Sequence, residues 1–232
     1  MKEKNYWKEY LMNELIFDSS SIISIAQNCL MKVLENLSKK TKNQFVMTKG
    51  VEFESVLKPL TINKFELNAL RIKRSIDLGW FKVEKNEVNS EKIEELANNI
   101  FFAENTPIKI IHKGEAEALA LYKKLNASVL VIDERTTRML IEEPKNLEKK
   151  LKFHYRKKIK LNKANLKKFS SFVGKVNIVR SAELITKAFD LGCFEGELDS
   201  SKKSLEASLF ALKFNGCAVS IEEINDYLSA VK

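Results

Sequence analysis

The stretch Leu15-Ile16-Phe17-Asp18-Ser19-Ser20-Ser21-Ile22 decides the fold, because an apolar run ends in an aspartate and three serines before a second apolar run begins. This pattern predicts a short buried strand, a tight polar turn and a helix. Asp18 then lies at the carboxyl end of the strand, beside the free N–H groups that open the helix. Ligands of open α/β sheets bind at the carboxyl ends of the strands. We therefore expect other acidic residues to gather around Asp18.

The rest of the chain alternates strand-like runs with helical periodicity. Such alternation predicts an α/β fold with a mostly parallel sheet and helices on both faces. Residues 1–14 are predicted to be a polar lead-in. Strands are predicted at 15–17, 44–48, 80–83, 129–132 and 176–179, and helices at 21–37, 51–57, 61–78, 91–102, 114–124, 134–141, 181–191, 201–214 and 220–231.

Composition narrows the class of protein. The 232 residues are 44% hydrophobic, which is ample for a core. No apolar run reaches the roughly 18 residues of a membrane span, and the charged N-terminus is unlike a secretory signal. Cys29, Cys193 and Cys217 are scattered beside apolar residues, so we expect buried thiols in a reducing cytoplasm rather than disulfides or zinc ligands.

The net charge of +9 comes from one segment. Residues 145–168 hold eleven Lys or Arg and one acid, so this segment carries +10 and the remainder −1. A local basic excess indicates a polyanion partner. We predict a basic insertion, either a β-arm or a helix, whose aromatics stack on unpaired bases; a solvated lysine-rich loop is the alternative. The candidate nucleic-acid-binding residues are Lys149, Lys150, Lys152, Arg156, Lys157, Lys158 and Lys160.

Acidic residues recur where strands end and helices begin. Such acids can meet at one edge of the sheet, where a cation would offset their repulsion. Oxygen ligands without His or Cys favour Mg²⁺ or Mn²⁺. Each acid alone also fits a helix cap or a favourable place on the helix dipole. The acids are Asp18, Glu52 and Glu54 after the second strand, Glu115 and Glu117 after Gly114, and Asp133.

Four short motifs occur in a familiar order. With them the chain resembles the PIN-domain family of metal-dependent ribonucleases, and in particular a mainly prokaryotic and archaeal branch with a Gly-Glu-Ala-Glu-Ala signature. The motifs are Leu15-Ile16-Phe17-Asp18-Ser19-Ser20, Thr48-Lys49-Gly50-Val51-Glu52-Phe53-Glu54, Gly114-Glu115-Ala116-Glu117-Ala118-Leu119-Ala120-Leu121 and Val131-Ile132-Asp133-Glu134-Arg135-Thr136-Thr137-Arg138.

The resemblance implies a three-layer fold with about five parallel strands, and cleavage of RNA with Mg²⁺ or Mn²⁺. It covers roughly 15–141 and, more loosely, 176–230, so 1–144 and 169–232 would form one domain around the 145–168 insertion. The metal-binding, catalytic residues it implies are Asp18, Glu54, Glu117 and Asp133. Ser20 would support Asp18, Glu115 would be an outer acid, and Arg138, at the later arginine position, would support the site.

Two other functions stay open. One is a non-catalytic RNA-binding or ribosome-assembly module that kept the fold, which would bind RNA without cutting it. The other is the ribonuclease toxin of a toxin–antitoxin pair, which would be toxic on expression and neutralised by an antitoxin. The expected partners are therefore RNA, a second copy of the chain, and an antitoxin or a ribosomal component, with no membrane.

Overall fold

The protein is described here by a computed structural model covering residues 14–231. Its centre is a sheet of five parallel strands in the order β3-β2-β1-β6-β8. The five-stranded parallel sheet predicted from the sequence is thus confirmed. The predicted polar lead-in lies, except for Glu14, outside the described residues. The strands of this sheet are β1 (Glu14–Phe17), β2 (Gln44–Met47), β3 (Phe81–Val83), β6 (Val129–Val131) and β8 (Ile178–Val179).

The strands are buried on both faces. Because successive side chains of a strand point to opposite sides of the sheet, they enter two different cores. In β1, Leu15 and Phe17 enter one hydrophobic core, whereas Ile16 enters the other. The same alternation separates Phe45 from Val46 in β2. Helices cover both faces and give three layers, as predicted.

Twelve α-helices surround the sheets within residues 14–231. A π-helical turn, Phe53–Leu57, and a 3₁₀ turn, Pro59–Thr61, follow the third of them. None of these helices is long and apolar enough to cross a membrane. The helices are α1 (Ser19–Gln27), α2 (Met31–Thr41), α3 (Lys49–Glu52), α4 (Asn63–Asp77), α5 (Glu91–Asn98), α6 (Lys113–Leu125), α7 (Arg135–Glu142), α8 (Pro144–Tyr155), α9 (Lys163–Val173), α10 (Ser181–Asp190), α11 (Lys202–Phe214) and α12 (Ile221–Ala230).

The predicted helix 21–37 is in fact two helices. The chain breaks between α1 and α2 at Cys29, whose φ of 59° lies in the left-handed region and interrupts helical hydrogen bonding. The Cys29 thiol is exposed, so its predicted burial is wrong, whereas Cys193 and Cys217 are buried as expected.

The predicted helix 91–102 is too long. Helix α5 ends at Asn98, whose side chain bonds to the loop that precedes α6: its Oδ1 accepts the Ile110 and Ile111 N–H groups and its Nδ2 donates to the Ile111 carbonyl. Between Asn98 and this loop the chain forms two strands of a second sheet that the sequence did not predict. Its antiparallel strands, in the order β5-β4-β7, are β4 (Phe101–Ala103), β5 (Thr106–Pro107) and β7 (Ile159–Leu161).

The basic segment 145–168 folds as most of α8, the strand β7 and the start of α9. The two-residue alternation from Lys152 to Lys158 does not form a β-arm, because residues up to Tyr155 are helical. The apolar spacing explains the helix, since Leu147 and Leu151 are four residues apart and bury one face of α8. Residues on the opposite face, including Lys149 and Phe153, remain exposed.

Candidate functional site

Asp18 is buried at the carboxyl end of β1 and caps the N-terminus of α1. Its Oδ2 accepts hydrogen bonds from the Ser20 hydroxyl at 2.7 Å and the Ser20 N–H at 3.1 Å. Its Oδ1 is buried and has no hydrogen-bond partner. Burial raises the pKa of Asp18 to about 6, against the opposing hydrogen bonds and with some help from the nearby charge of Glu54. An unpaired buried carboxylate oxygen is costly unless something neutralises it.

Glu54 reaches this place from the π-helical turn that follows β2 and α3. Its Oε2 accepts a 2.8 Å hydrogen bond from the Ser19 hydroxyl, next to Asp18 in the chain. The Glu54 carboxylate also lies against the backbone of Gly114, where a Cβ atom would stand 3.1 Å from Oε2. Gly114 therefore lets the first turn of α6 approach the carboxylate closely.

The two glutamates of α6 have different surroundings. Glu115 accepts a 3.0 Å hydrogen bond from the His112 N–H, and burial together with the charges of Asp18 and Glu134 raises its pKa to about 7. Glu117 turns to α3, accepts a 3.1 Å bond from the Thr48 hydroxyl and lies 3.8 Å from Lys113 Nζ. Residues two apart cannot share a helix face, which explains the division.

The Glu117 carboxylate rests on the backbone of Gly50 in α3. A Cβ atom at Gly50 would stand only 2.1 Å from Glu117 Oε2. The two contacts are reciprocal: Gly50 of α3 faces a glutamate of α6, and Gly114 of α6 faces a glutamate of the π-helical turn that follows α3. Close packing therefore explains why these two positions of the predicted motifs are glycine.

Asp133 is buried after β6, and each oxygen of its carboxylate accepts a hydrogen bond. Oδ1 accepts a 2.7 Å bond from the Ser181 N–H and Oδ2 a 2.6 Å bond from the Ser181 hydroxyl, at the N-terminus of α10. Burial raises the pKa of Asp133. The Asp133 N–H donates to the Ser20 hydroxyl at 3.2 Å, which itself donates to Asp18. Ser20 thus joins the two aspartates.

Arg138 contacts Glu142 and the chain before α12. Its Nε lies 3.9 Å from Glu142 and its guanidinium donates to the Ala218 carbonyl at 3.4 Å. The same carbonyl accepts a 2.8 Å bond from the buried Arg180, which also pairs with Glu183. The position predicted to support the acidic site therefore contacts the loop before α12.

The predicted RNA-binding cations differ in how free they are. Lys152 pairs with Glu148 at 2.6 Å, and Lys157 lies 3.5 Å from Glu104. Lys160 donates to the Asn105 side chain at 3.2 Å. The remaining predicted cations, which form no ion pair with another residue of the described range, are Lys149, Lys150, Arg156 and Lys158.

Sequence reasoning did not single out several residues of this neighbourhood. Glu134 caps α7 by accepting the Thr136 and Thr137 N–H groups, and its charge acts on Glu115. Its place directly after Asp133 was an available signal. Ser181 lies 48 residues beyond Asp133, so only the folded chain reveals their contact.

The donors fit a hard divalent cation in their chemistry, because they are carboxylate oxygens with a buried unpaired oxygen, Asp18 Oδ1, among them. The carboxylates are, however, spaced more widely than the ligands of a bound metal ion. Across residues 14–231, no three or more His, Cys, Asp or Glu side chains stand together closely enough to hold a metal. For these carboxylates to hold a metal, flexible side chains such as those of Glu54 and Glu115 would have to rotate.

The fold and its acidic edge define an α/β domain of the kind found in nucleases. The family profile of a PIN domain, DUF3368, matches residues 14–145, which is more than half of the chain. The chain therefore belongs to the PIN-domain family. PIN domains are typically nucleases and generally use divalent metals. No curated protein and no solved structure matches the chain.

Proposed function

We propose that this protein is a Mg²⁺- or Mn²⁺-dependent endoribonuclease. The observation that carries the proposal is Asp18: a buried carboxylate with one unpaired oxygen and a raised pKa, at the carboxyl edge of a parallel sheet in a PIN domain. The charge of Glu54 raises the pKa of Asp18, and the charge of Asp18 raises the pKa of Glu115. Three carboxylates in one neighbourhood would form a divalent-cation site once their flexible side chains converge on the ion.

Asp18, Glu54 and Glu115 are the residues we propose to hold the metal. Among the two glutamates of α6, the contacts favour Glu115 over Glu117, since Glu115 interacts with Asp18 and Glu117 with Thr48 and Lys113. The bound cation would activate water and neutralise charge on the attacked phosphate. Ser20 orients Asp18 by two hydrogen bonds.

We propose that Asp133 acts in the site by position rather than by direct ligation. Each of its oxygens already accepts a hydrogen bond from Ser181, and its N–H donates to the Ser20 hydroxyl that orients Asp18. Glu134, directly after it, adds negative charge beside Glu115. The lysine-rich helix α8 would hold the RNA phosphates.

The test is cleavage of a labelled single-stranded RNA of mixed sequence in Mn²⁺, Mg²⁺ or EDTA. We expect cleavage with either metal and none in EDTA, with Asp18→Asn and Glu115→Gln at least about a hundredfold slower. Asp77→Asn, a surface acid on α4 paired with Lys73, is the matched control and should cleave normally. Equal activity of Asp18→Asn and wild type would remove the catalytic assignment.

A non-catalytic RNA-binding module is the second candidate. The absence of a preformed group of three metal ligands in residues 14–231 favours it, as does the engagement of Asp133 by Ser181. This candidate predicts RNA binding that is sensitive to salt, unaffected by EDTA, and accompanied by no cleavage in any metal.

A further inference from the structure

A cleft lies at the amino edge of the central sheet, which is the edge opposite Asp18. Asp18 follows β1, whereas Trp80 at the cleft directly precedes β3, and the two strands run in the same direction. The cleft has a volume of about 510 Å³, which suits a small molecule. Its walls are the corner between α1 and α2, the first half of α2, the end of α4 and the turn after α10, and we call it the α2–α4 cleft.

Two arginines of α4 line this cleft without an acidic partner. Arg71 Nη1 donates to the Ala26 carbonyl at 3.2 Å and to the Asn68 side chain at 3.0 Å, which fixes the guanidinium in place. Its other nitrogens form no hydrogen bond within residues 14–231. The side chain of Arg74, in the last turn of α4, forms no hydrogen bond or ion pair in that range. Because an arginine fork donates to carboxylate and phosphate oxygens, two such arginines in one cleft favour an anion.

The acids at the cleft do not cancel this charge. Glu35 pairs with Lys32 at 3.1 Å and also with Lys39, so two lysines already neutralise it. Lys32 lines the cleft together with the two arginines, and Glu197, on the turn after α10, is the second acid there. The positive charge at the cleft therefore exceeds the negative charge. Such an excess suits a phosphate group, which carries up to two negative charges near neutral pH.

An indole ring gives the cleft an apolar wall beside these cations. Trp80 packs against Phe45 and Phe81, with ring centroids 6.3 and 5.9 Å apart, so the aromatic cluster holds the indole in place. Leu78, which is 57% exposed, adds apolar surface at the end of α4. A ligand with a planar ring can stack on the indole while its anionic group reaches the arginines.

We propose that the α2–α4 cleft binds a small anion that carries an aromatic ring, with a phosphate on Arg71 and Arg74 and the ring against Trp80. Nucleoside monophosphates have this chemistry. Because the cleft and Asp18 lie at opposite edges of the sheet, this ligand occupies a second site rather than the substrate position. The proposal goes beyond the proposed endoribonuclease function and does not depend on it.

Cys29 makes the cleft testable, because it lines the cleft and is the exposed one of the three cysteines. Alkylation of the full chain by uncharged iodoacetamide in EDTA, followed by mass spectrometry of the Cys29 peptide, measures access to the cleft. At about ten times its dissociation constant, adenosine monophosphate should slow alkylation about tenfold, since only the ligand-free protein reacts. Adenosine lacks the phosphate and ribose phosphate lacks the ring, so each should protect much less at the same concentration.

A charge variant tests the arginine contact. Arg74→Gln breaks no side-chain contact within residues 14–231, so we expect it to fold as wild type does. Its affinity for adenosine monophosphate, measured by isothermal titration calorimetry, should be at least about tenfold lower, because a hydrogen bond to a charged group is lost. Lys64→Gln, on the same helix but outside the cleft, removes the same charge and should bind with wild-type affinity.

Absence of Cys29 protection by adenosine monophosphate, or equal affinities of Arg74→Gln and wild type, would overturn the proposal. Equal protection by adenosine would contradict the phosphate contact, and equal protection by ribose phosphate would contradict the ring contact. A short single-stranded RNA that protects better than the mononucleotide would assign the cleft to a polynucleotide and reject a small-molecule site.

The readout needs neither a metal nor cleavage. A protein that never cleaves RNA but binds the mononucleotide in this cleft would contradict the endoribonuclease proposal alone. A protein that cleaves RNA while its Cys29 stays unprotected would contradict only the proposal for the cleft.

Discussion

Replacing Asp18 with Asn should change how stability depends on pH in the metal-free protein. Asn keeps the shape of the side chain, still caps α1 and still accepts the bonds from Ser20, but it cannot ionise. The comparison of wild type and variant across pH therefore reports the ionisation of Asp18 together with its electrostatic effect on Glu115.

The sign follows from the raised pKa. Below about pH 3.8 Asp18 is protonated in both the folded and the unfolded protein, and ionisation costs nothing. Between 3.8 and about 6 the unfolded chain releases the proton while the folded chain retains it, so stability falls as pH rises. At about 1.4 kcal/mol per unit, the shift destabilises the folded protein by about 3 kcal/mol above pH 6. About half of this loss develops between pH 5 and pH 7.5.

Urea unfolding at pH 5 and at pH 7.5, in EDTA, measures the effect. Between these conditions the free energy of unfolding of wild type should fall by about 1.4 kcal/mol relative to that of Asp18→Asn. Adding Mg²⁺ or Mn²⁺ at pH 7.5, at about a hundredfold above its dissociation constant, should stabilise wild type by about 2.7 kcal/mol and the variant much less. The reasoning is refuted if the two proteins have parallel pH profiles, or if metal stabilises both equally.

Three further perturbations test the contacts around the site. Gly50→Ala should destabilise wild type but stabilise a Glu117→Ala background by up to about 1 kcal/mol, because the new methyl meets the Glu117 carboxylate only when it is present; additive effects in the double-mutant cycle would contradict this. Ser181→Ala should cost about 1–3 kcal/mol in urea unfolding, since it removes the hydroxyl donor to buried Asp133, and a cost below about 0.5 kcal/mol would count against that contact. Arg180→Leu should cost about 3 kcal/mol at pH 7 by leaving its acidic partners unpaired. The loss of stability in Arg180→Leu should become smaller when thermal unfolding is measured below about pH 4. The partner acids have lowered pKa values, so they become protonated and stop contributing to stability only in that pH range. A loss that stays constant with pH would contradict the prediction.

The sequence by itself determined the central sheet. Short apolar runs that end in aspartate, such as those before Asp18 and Asp133, leave few alternatives to buried parallel strands, because both faces must be covered. Local signals also placed the helix that begins near Gly114. These features depend on residues close together in the chain, so periodicity reports them directly.

Tertiary structure decided which acids lie near one another. The two glutamates of the Gly-Glu-Ala-Glu-Ala motif are equivalent by composition, but in the folded chain Glu115 is within electrostatic reach of Asp18, whereas Glu117 lies against Gly50. The engagement of Asp133 by Ser181 likewise joins residues 48 positions apart. The pairing of β4 with β7 was missed for the same reason, since β7 lies far along the chain, whereas the local pairing of β4 with β5 was missed because the predicted helix 91–102 covered β4. Contacts of this kind depend on how elements pack, and packing orientation is not written in any local pattern.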